Sequence, residues 1–312
     1  AKTGARPDEL VVTLEPCSTH GKTPPCVEAI ARAGVKRVIV AAVDRNPAHD
    51  GRGLAWLRDH GIEVAHTGDE VRFLAQNRPY ARALAARRPF VLAKWAMTLD
   101  GRTALADGDS KWVTSEASRE MVHRLRGRCE AVAVGVATVL RDDPLLTSRG
   151  FQSLASPPAR VVFDSTLRTP PNATVVSNHD APTWIVALAS APADRRVALE
   201  RAGAEVIPTE SDAQTGRVAI RPALAELGRR GVRRVLLEAG PELAGAFRRA
   251  GAIDQVLAFV APKIAGGVET PSAAGSPEAA AMARAVALEE TYVERIGDDV
   301  LIGGFVGPEP AP

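Results

Sequence analysis

Short apolar runs alternate with amphipathic stretches along most of this chain, and that alternation sets the first expectation. Leu10–Leu14, Arg37–Val43 and Ile62–Val64 read as strands. Between them Pro24–Ala33 and Gly53–His60 read as helices, the first with Pro in its opening turn and Gly34 just past its end. Asp69–Ala86 reads as one Ala-rich helix with acidic residues at its start. The run Ala86-Arg87-Arg88-Pro89 then breaks the pattern, which places a domain boundary between segments 1–87 and 88–312.

The second segment repeats the alternation. Strands are expected at Phe90–Ala96, Ala131–Val134, Arg160–Phe163, Thr183–Leu188, Glu205–Ile207, Arg234–Leu237, Gln255–Val260 and Val300–Ile302. Helices are expected at Glu116–Arg126, Thr138–Asp142, Asp194–Ala202, Pro222–Arg230 and Glu242–Ala250, with a mobile Gly/Ser/Ala-rich loop over Gly266–Ser276. Strands that alternate with helices indicate α/β layers with parallel pairing. The apolar run Val256–Val260 suits a core strand better than a dimer edge, and a homo-oligomer is left open.

Composition narrows the function classes. The 312 residues are 46% hydrophobic and 24% charged, with a net charge of +2. That balance gives no electrostatic case for nucleic acid or an anionic membrane as partner. No apolar run approaches a membrane span, and the polar start Ala1–Arg6 lacks the apolar stretch of a secretory signal. Three cysteines in a chain of this length do not suggest a disulfide framework, so a reducing, cytoplasmic setting is expected. The chain opens on Ala1, which leaves processing or a start inside a longer protein as readings.

Two thiols carry the first candidate chemistry. Thr13-Leu14-Glu15-Pro16-Cys17 leaves a strand, and Gly21-Lys22-Thr23-Pro24-Pro25-Cys26 enters a helix. A helix N-terminus favours the thiolate, the form that binds metal, and two such sulfurs suit tetrahedral Zn2+. Nucleobase deaminases of this kind also need a His-x-Glu segment, and none precedes Cys17. His20 is open to two readings, a substitute ligand or a loop histidine that touches substrate, the second favoured.

Four polar clusters carry the second. No Gly-x-Gly-x-x-Gly follows a strand, so a standard dinucleotide fingerprint is missing. Instead Lys94–Arg102, Gly108–Thr114, Gly135–Arg149 and Leu237–Gly245 sit at expected strand ends, where open α/β sheets bind ligands. Ser110 as a helix-proximal cap and Trp112 as a core aromatic are the plain alternatives. Thr138 reads as the cap of a short helix whose N–H groups suit a phosphate, and Asp142-Asp143 before Pro144 could simply end it. In the last cluster a strand delivers Glu238 and Pro241 opens a helix towards a pyrophosphate.

The cysteine motif, with Asp44-Arg45-Asn46-Pro47 and Gly51-Arg52-Gly53 after it, resembles the deaminase half of the bifunctional riboflavin-biosynthesis deaminase–reductases. The four clusters, in order from Arg88 to Phe305, resemble the reductase half of the same family. The resemblance implies a partial cytidine-deaminase-like domain followed by a dihydrofolate-reductase-like domain. It implies NADPH contacts at Ala96, Trp112, Thr138, Asp142, Ser165 and the turn Gly240, Pro241, Glu242, Leu243, Ala244, Gly245 and Ala246. Substrate contacts are implied at Ser110, Arg126, Leu145, Arg149 and Glu238, with Glu238 as the catalytic candidate. Glu238 either holds sugar hydroxyls or manages protons in ring opening.

Arg126 and Arg149 suit bidentate contacts to a substrate phosphate, and Arg168 is a weaker candidate for the cofactor 2′-phosphate. The substrate implied is a pyrimidine ribosyl phosphate. Zn2+ ligands are implied at Cys17 and Cys26, with a His ligand and a catalytic Glu on a helix ahead of Leu10. The expectation is a parent protein that deaminates and a chain, as given, that only reduces. The competing readings are a single-activity reductase with a deaminase-like packing or dimerisation module, and a different nicotinamide reductase such as a dihydrofolate reductase.

Overall fold

The computed structural model describes residues 8–21, 23–151, 154–267, 270–273, 275 and 285–307. The chain divides into two compact units, Ala1–Ala85 and Ala86–Pro312.

The first unit carries a three-stranded parallel sheet in the order β1 (Glu9–Val12), β2 (Arg37–Val40), β3 (Glu63–His66). Helices α1 (Cys26–Arg32) and α2 (Arg52–Asp59) form the crossovers. Val27, Ile30, Val38, Val40, Leu54 and Leu57 form its core, which is the burial that the two periodicities call for. The helix expected over Asp69–Ala86 is two helices, α3 (Glu70–Gln76) and α4 (Arg78–Ala86). Pro79 lacks the N–H that a continuous helix needs and disfavours helical geometry just before it. Asn77 takes the break, and its side-chain amide donates back to the Phe73 carbonyl at 3.2 Å.

The second unit is a nine-stranded sheet in the order β11-β12-β10-β4-β9-β5-β6-β7-β8. The strands are β4 (Phe90–Thr98), β5 (Ala131–Gly135), β6 (Ala159–Phe163), β7 (Thr183–Leu188), β8 (Glu205–Thr209), β9 (Arg234–Leu237), β10 (Gln255–Ala261), β11 (Leu288–Ile296) and β12 (Asp299–Val306). From β10 through β8 every pairing is parallel, and β10, β12 and β11 pair antiparallel. Helices α5 (Glu116–Arg126), α6 (Val136–Asp142), α7 (Thr174–Ser177), α8 (Ala193–Arg201), α9 (Ile220–Arg229) and α10 (Pro241–Arg249) lie between the strands. The central strands are apolar almost throughout, as two covered faces require. Phe163 and Phe247 meet edge to face at 5.3 Å inside that core, and Val256–Ala258 are buried in it.

Chain order and strand order part at one place. The chain runs outward from β4 through β5 to β8, then returns to insert β9 between β4 and β5. The crevice outside the carboxyl ends at such a reversal is where open sheets take ligands.

The hairpin β11–β12 differs from expectation. Only Val300–Ile302 reads as a strand in the sequence, because β11 is an exposed edge with a polar pattern, Leu-Glu-Glu-Thr-Tyr-Val-Glu-Arg-Ile. The hairpin matters for α5. Buried Asp299 accepts from Ser115 N at 2.7 Å, Ser115 Oγ at 2.8 Å and Ser118 Oγ at 2.6 Å. Ser115 is the N-cap of α5, so the cap is five residues beyond the expected Ser110. The loop expected over Gly266–Ser276 lies partly outside the described residues. Among the described residues no helix is long and apolar enough to cross a membrane.

Asp299→Ala strips one buried carboxylate from three donors. The expected loss is about 3 kcal/mol of unfolding free energy, read by urea denaturation, and a change inside experimental error would refute this anchoring role.

Candidate active site

The implied contacts of the second unit follow the carboxyl ends of parallel strands β4, β5, β6 and β9. Ala96 lies on β4, Thr138 and Asp142 on α6 after β5, Ser165 just after β6, and Glu238 just after β9. Gly240 is the N-cap of α10 and Pro241 its first residue, so Gly240–Ala246 is a strand–turn–helix entry. A Cβ on Gly240 would meet nothing within 4 Å. A ligand can therefore approach this backbone, with the helix dipole aimed at it. Gly135 at the N-terminus of α6 faces Leu243 of α10, with 3.7 Å from an added Cβ to the Leu243 side chain, so the two helix starts are neighbours. Thr138 sits inside α6 rather than capping it, since Gly135 is the N-cap.

Glu238 and Arg126 form the centre. Arg126 Nε and Nη2 donate to the two Glu238 carboxylate oxygens at 2.6 and 3.0 Å. Both side chains are nearly enclosed, at 14% and 12% exposure, so Arg126 is not a solvated helix end. The bidentate face expected to meet a phosphate is turned to Glu238 instead. Its remaining Nη1 donates to the Thr147 carbonyl at 3.1 Å, and His123 Nδ1 lies 2.9 Å from the same oxygen. Glu238 N donates to Ala133 O at 2.9 Å, fixing the end of β9 against β5.

The charges here are mutually adjusted. Burial alone would raise the Glu238 pKa, but the Arg126 guanidinium outweighs it, aided by Lys94 and His123, and the carboxyl stays below its ordinary range. Burial lowers the Lys94 pKa, opposed by Glu238 and reinforced by Arg126. Burial also lowers that of His123, with the Thr147 carbonyl opposing and Arg126 and Arg149 adding to the shift. Perturbed titratable groups converging in a crevice mark a functional site. Sequence reasoning reaches Lys94 only as the first residue of the Lys94–Arg102 cluster, with no role of its own, and does not reach His123.

A cleft of about 230 Å3 opens beside the carboxyl end of β4, lined by Thr98, Arg102, Ser110, Trp112, Lys263 and Ile264 among others. Trp112 is 62% exposed, so it is no core aromatic. Arg119 covers its ring at 4.5 Å, and Lys263 Nζ donates to its carbonyl at 2.7 Å. Asp100 secures the wall. It accepts from Thr98 Oγ1, Ala265 N and Gly266 N, which pull its carboxyl down to about 2. Leu145 and Arg149 are exposed on the loop after α6. Ser165 Oγ already accepts from Val218 N at 3.1 Å, and Glu242 is paired with Arg217 at 2.6 Å. Arg168 is exposed in the turn after Ser165.

In the first unit Cys26 N donates to Cys17 Sγ at 3.3 Å, so the two sulfurs are neighbours. The Cys17 sulfur, by hydrogen bonding, and then burial push the Cys26 thiol up. The pair supplies two ligands of the kind zinc takes. Among the described residues no group of three His, Cys, Asp or Glu could hold a metal, and exposed His20 does not complete one. Glu15 is no ligand either. It is buried, and its carboxylate accepts from Asp44 N, Gly51 N and Gly53 N at 3.1, 2.9 and 2.8 Å.

Comparison with known proteins decides the family. The RibD C-terminal domain family matches residues 89–302. The riboflavin biosynthesis protein RibD of Synechocystis is 38% identical over 95% of this chain and 78% of its own length. The chain belongs to the RibD family. Among solved structures, RibD of Acinetobacter baumannii superposes with a TM-score of 0.82 at 31% identity, covering 96% of this chain and 80% of that one. A Thermotoga maritima diaminohydroxyphosphoribosylaminopyrimidine deaminase/5-amino-6-(5-phosphoribosylamino)uracil reductase follows at 0.74 and 29%, covering 95% and 79%. The second unit is thus a reductase domain of riboflavin biosynthesis on an α/β fold.

The pH dependence of the central pair has a definite sign. The folded pKa of Glu238 is depressed, so its stabilisation is complete above the ordinary Glu value of about 4.3 and is lost as pH falls through the lower folded value. Glu238→Gln should cost about 3 kcal/mol near neutrality, and the gap in Tm to wild type should narrow only in acid. A gap that already closes between about pH 7 and 5 would contradict this.

Proposed function

We propose that the second unit reduces 5-amino-6-(5-phosphoribosylamino)uracil to its ribitylamino form with NADPH, on a dihydrofolate-reductase-like fold. The observation that carries this is the Arg126–Glu238 pair with Lys94 of β4 beside it, just past the carboxyl end of β9 and next to the open turn that starts α10. The named activity of the Thermotoga maritima relative supports the substrate.

The open turn at Gly240 and the neighbouring helix starts fit a pyrophosphate, so Gly240–Ala246, with Thr138 on α6, would hold the cofactor. When bound, the nicotinamide supplies the hydride for C1′ of the opened sugar. The chain's residues do the rest. Ring opening breaks the C1′–O4′ bond, forms the C1′=N bond of an imine, and moves a proton from the exocyclic nitrogen to O4′; reduction of that C1′=N bond then returns one proton from solvent to the nitrogen. Lys94, its pKa lowered by burial, is suited to give a proton to O4′, and ionised Glu238 suited to hold the sugar hydroxyls and the Lys94 charge. Arg126 keeps Glu238 in place. Arg149 and Leu145 meet the phosphate-bearing part of the substrate, and Ser110 and Trp112 shape the cleft walls.

For the first unit we propose the C-terminal portion of a zinc deaminase domain, with Cys17 and Cys26 as two of the metal's ligands. Two ligands among the described residues do not complete a catalytic zinc, and no deamination step is assigned to them.

The deciding experiment follows NADPH oxidation with the deaminated substrate. Wild type should turn over, and Lys94→Ala should lower kcat by about 100-fold with the Michaelis constant for NADPH nearly unchanged. Absence of turnover in wild type would overturn the assignment. If Arg168 reads the 2′-phosphate, Arg168→Ala should raise the Michaelis constant for NADPH about tenfold and leave that for NADH unmoved. Equal effects on both cofactors would remove Arg168 from that role.

A further inference from the structure

The loop between α6 and β6 has an unusual backbone. Asp143, Leu146 and Arg149 all have positive φ, at 39°, 55° and 47°, and none is glycine. A side chain in this left-handed region strains the backbone, and the conformation persists only where its surroundings over-determine it. The surroundings here are specific. Asp143 accepts from Thr174 N and Oγ1 at 2.7 and 2.6 Å, closing one end of the loop. Leu146 and Ser148 are buried at 3% and 6% exposure. Between those two, the Thr147 carbonyl faces α5 and receives two donors, Arg126 Nη1 at 3.1 Å and His123 Nδ1 at 2.9 Å.

A carbonyl oxygen only accepts, so His123 must carry its hydrogen on Nδ1 to bond there. Arg126 is already held by Glu238 through its other nitrogens. One carbonyl therefore links the loop to the central ion pair, and His123 is the donor in that link that Glu238 does not hold. The charged groups that face the ring are Arg126 on α5, Arg149 on the loop and Glu238 after β9, and burial with the two arginines favours the neutral imidazole.

We propose that His123 is a positioning residue of the reductase: its Nδ1–H, bonded to the Thr147 carbonyl, sets the loop that presents Leu145 and Arg149 to the phosphate-bearing sugar of the substrate. The assignment to that substrate rests on the reductase function proposed above. The clamp itself is a property of the loop.

Three variants separate the donor from the bulk of the ring. An Asn side-chain amide can occupy the place of Nδ1, a Gln amide reaches beyond it, and Ala offers no donor. His123→Ala and His123→Gln should raise the Michaelis constant for 5-amino-6-(5-phosphoribosylamino)uracil about tenfold, with kcat and the NADPH constant within about twofold of wild type. His123→Asn should restore most of the loss. Amide hydrogen exchange over Thr147–Arg149, measured on the full chain, should quicken in the Ala and Gln variants and return towards wild type in Asn. Exchange indifferent to all three variants would overturn the clamp, whatever turnover shows. Substrate and NADPH constants that move together, or an Asn variant as impaired as Ala, would overturn its role in substrate positioning. A wild-type protein inactive on this substrate, with loop exchange still following the order Asn, Gln, Ala, would overturn the substrate and leave the clamp standing.

Discussion

Glu238 ends β9 with both carboxylate oxygens committed to one guanidinium, and the site of the second unit is arranged around that commitment. A carboxylate taken out of water in this way is costly unless it is paired and fully hydrogen-bonded. Arg126 meets the requirement as the last residue of α5, its guanidinium reaching the carboxylate just past β9. Asp299 fixes the opposite end of that helix through Ser115 and Ser118, so a residue in the last hairpin helps set where Arg126 arrives. Lys94 and His123 then stand in a field that the pair has largely neutralised, which lets burial lower both of their pKa values.

Topology supplies what the pair needs. β9 is late in the chain yet central in the sheet, inserted between β4 and β5. That one insertion brings Glu238 next to Lys94 of β4 and opens α10 beside α6. The ligand crevice lies at the same reversal, because helices that leave neighbouring strands to different sides uncover the strand ends between them. A small residue completes it: Gly240 leaves the turn open.

The two units differ in how complete their chemistry is. In the second, cation, carboxylate and the open turn of α10 come together just past the end of β9. In the first, Cys17 and Cys26 are neighbours, and Glu15 ties the cysteine-bearing strand exit to the Asp44–Gly53 loop through three backbone amides. That is a well-held frame around two thiols, and two thiols do not make the open four-coordinate site that activates water.

The sequence by itself determined the element types, because periodicity and end signals are local. α5, β7 and β9 begin and end where their patterns predict. It also carried the family, through motifs spread in order along the chain. It did not yield β11, a polar edge strand whose pairing is its main support, nor the break at Asn77, where a proline overrode an otherwise helical pattern. Above all it could not say whom a charged residue faces. Arg126 reads in the sequence as a phosphate ligand, and only the tertiary fold brought its guanidinium to Glu238 and the Thr147 carbonyl. Lys94 gained no role of its own from the sequence, and His123 went unremarked, for the same reason. Their chemistry comes from burial and from charges that, apart from Arg126 on the same helix as His123, are remote along the chain, and those distances are decided by the tertiary fold.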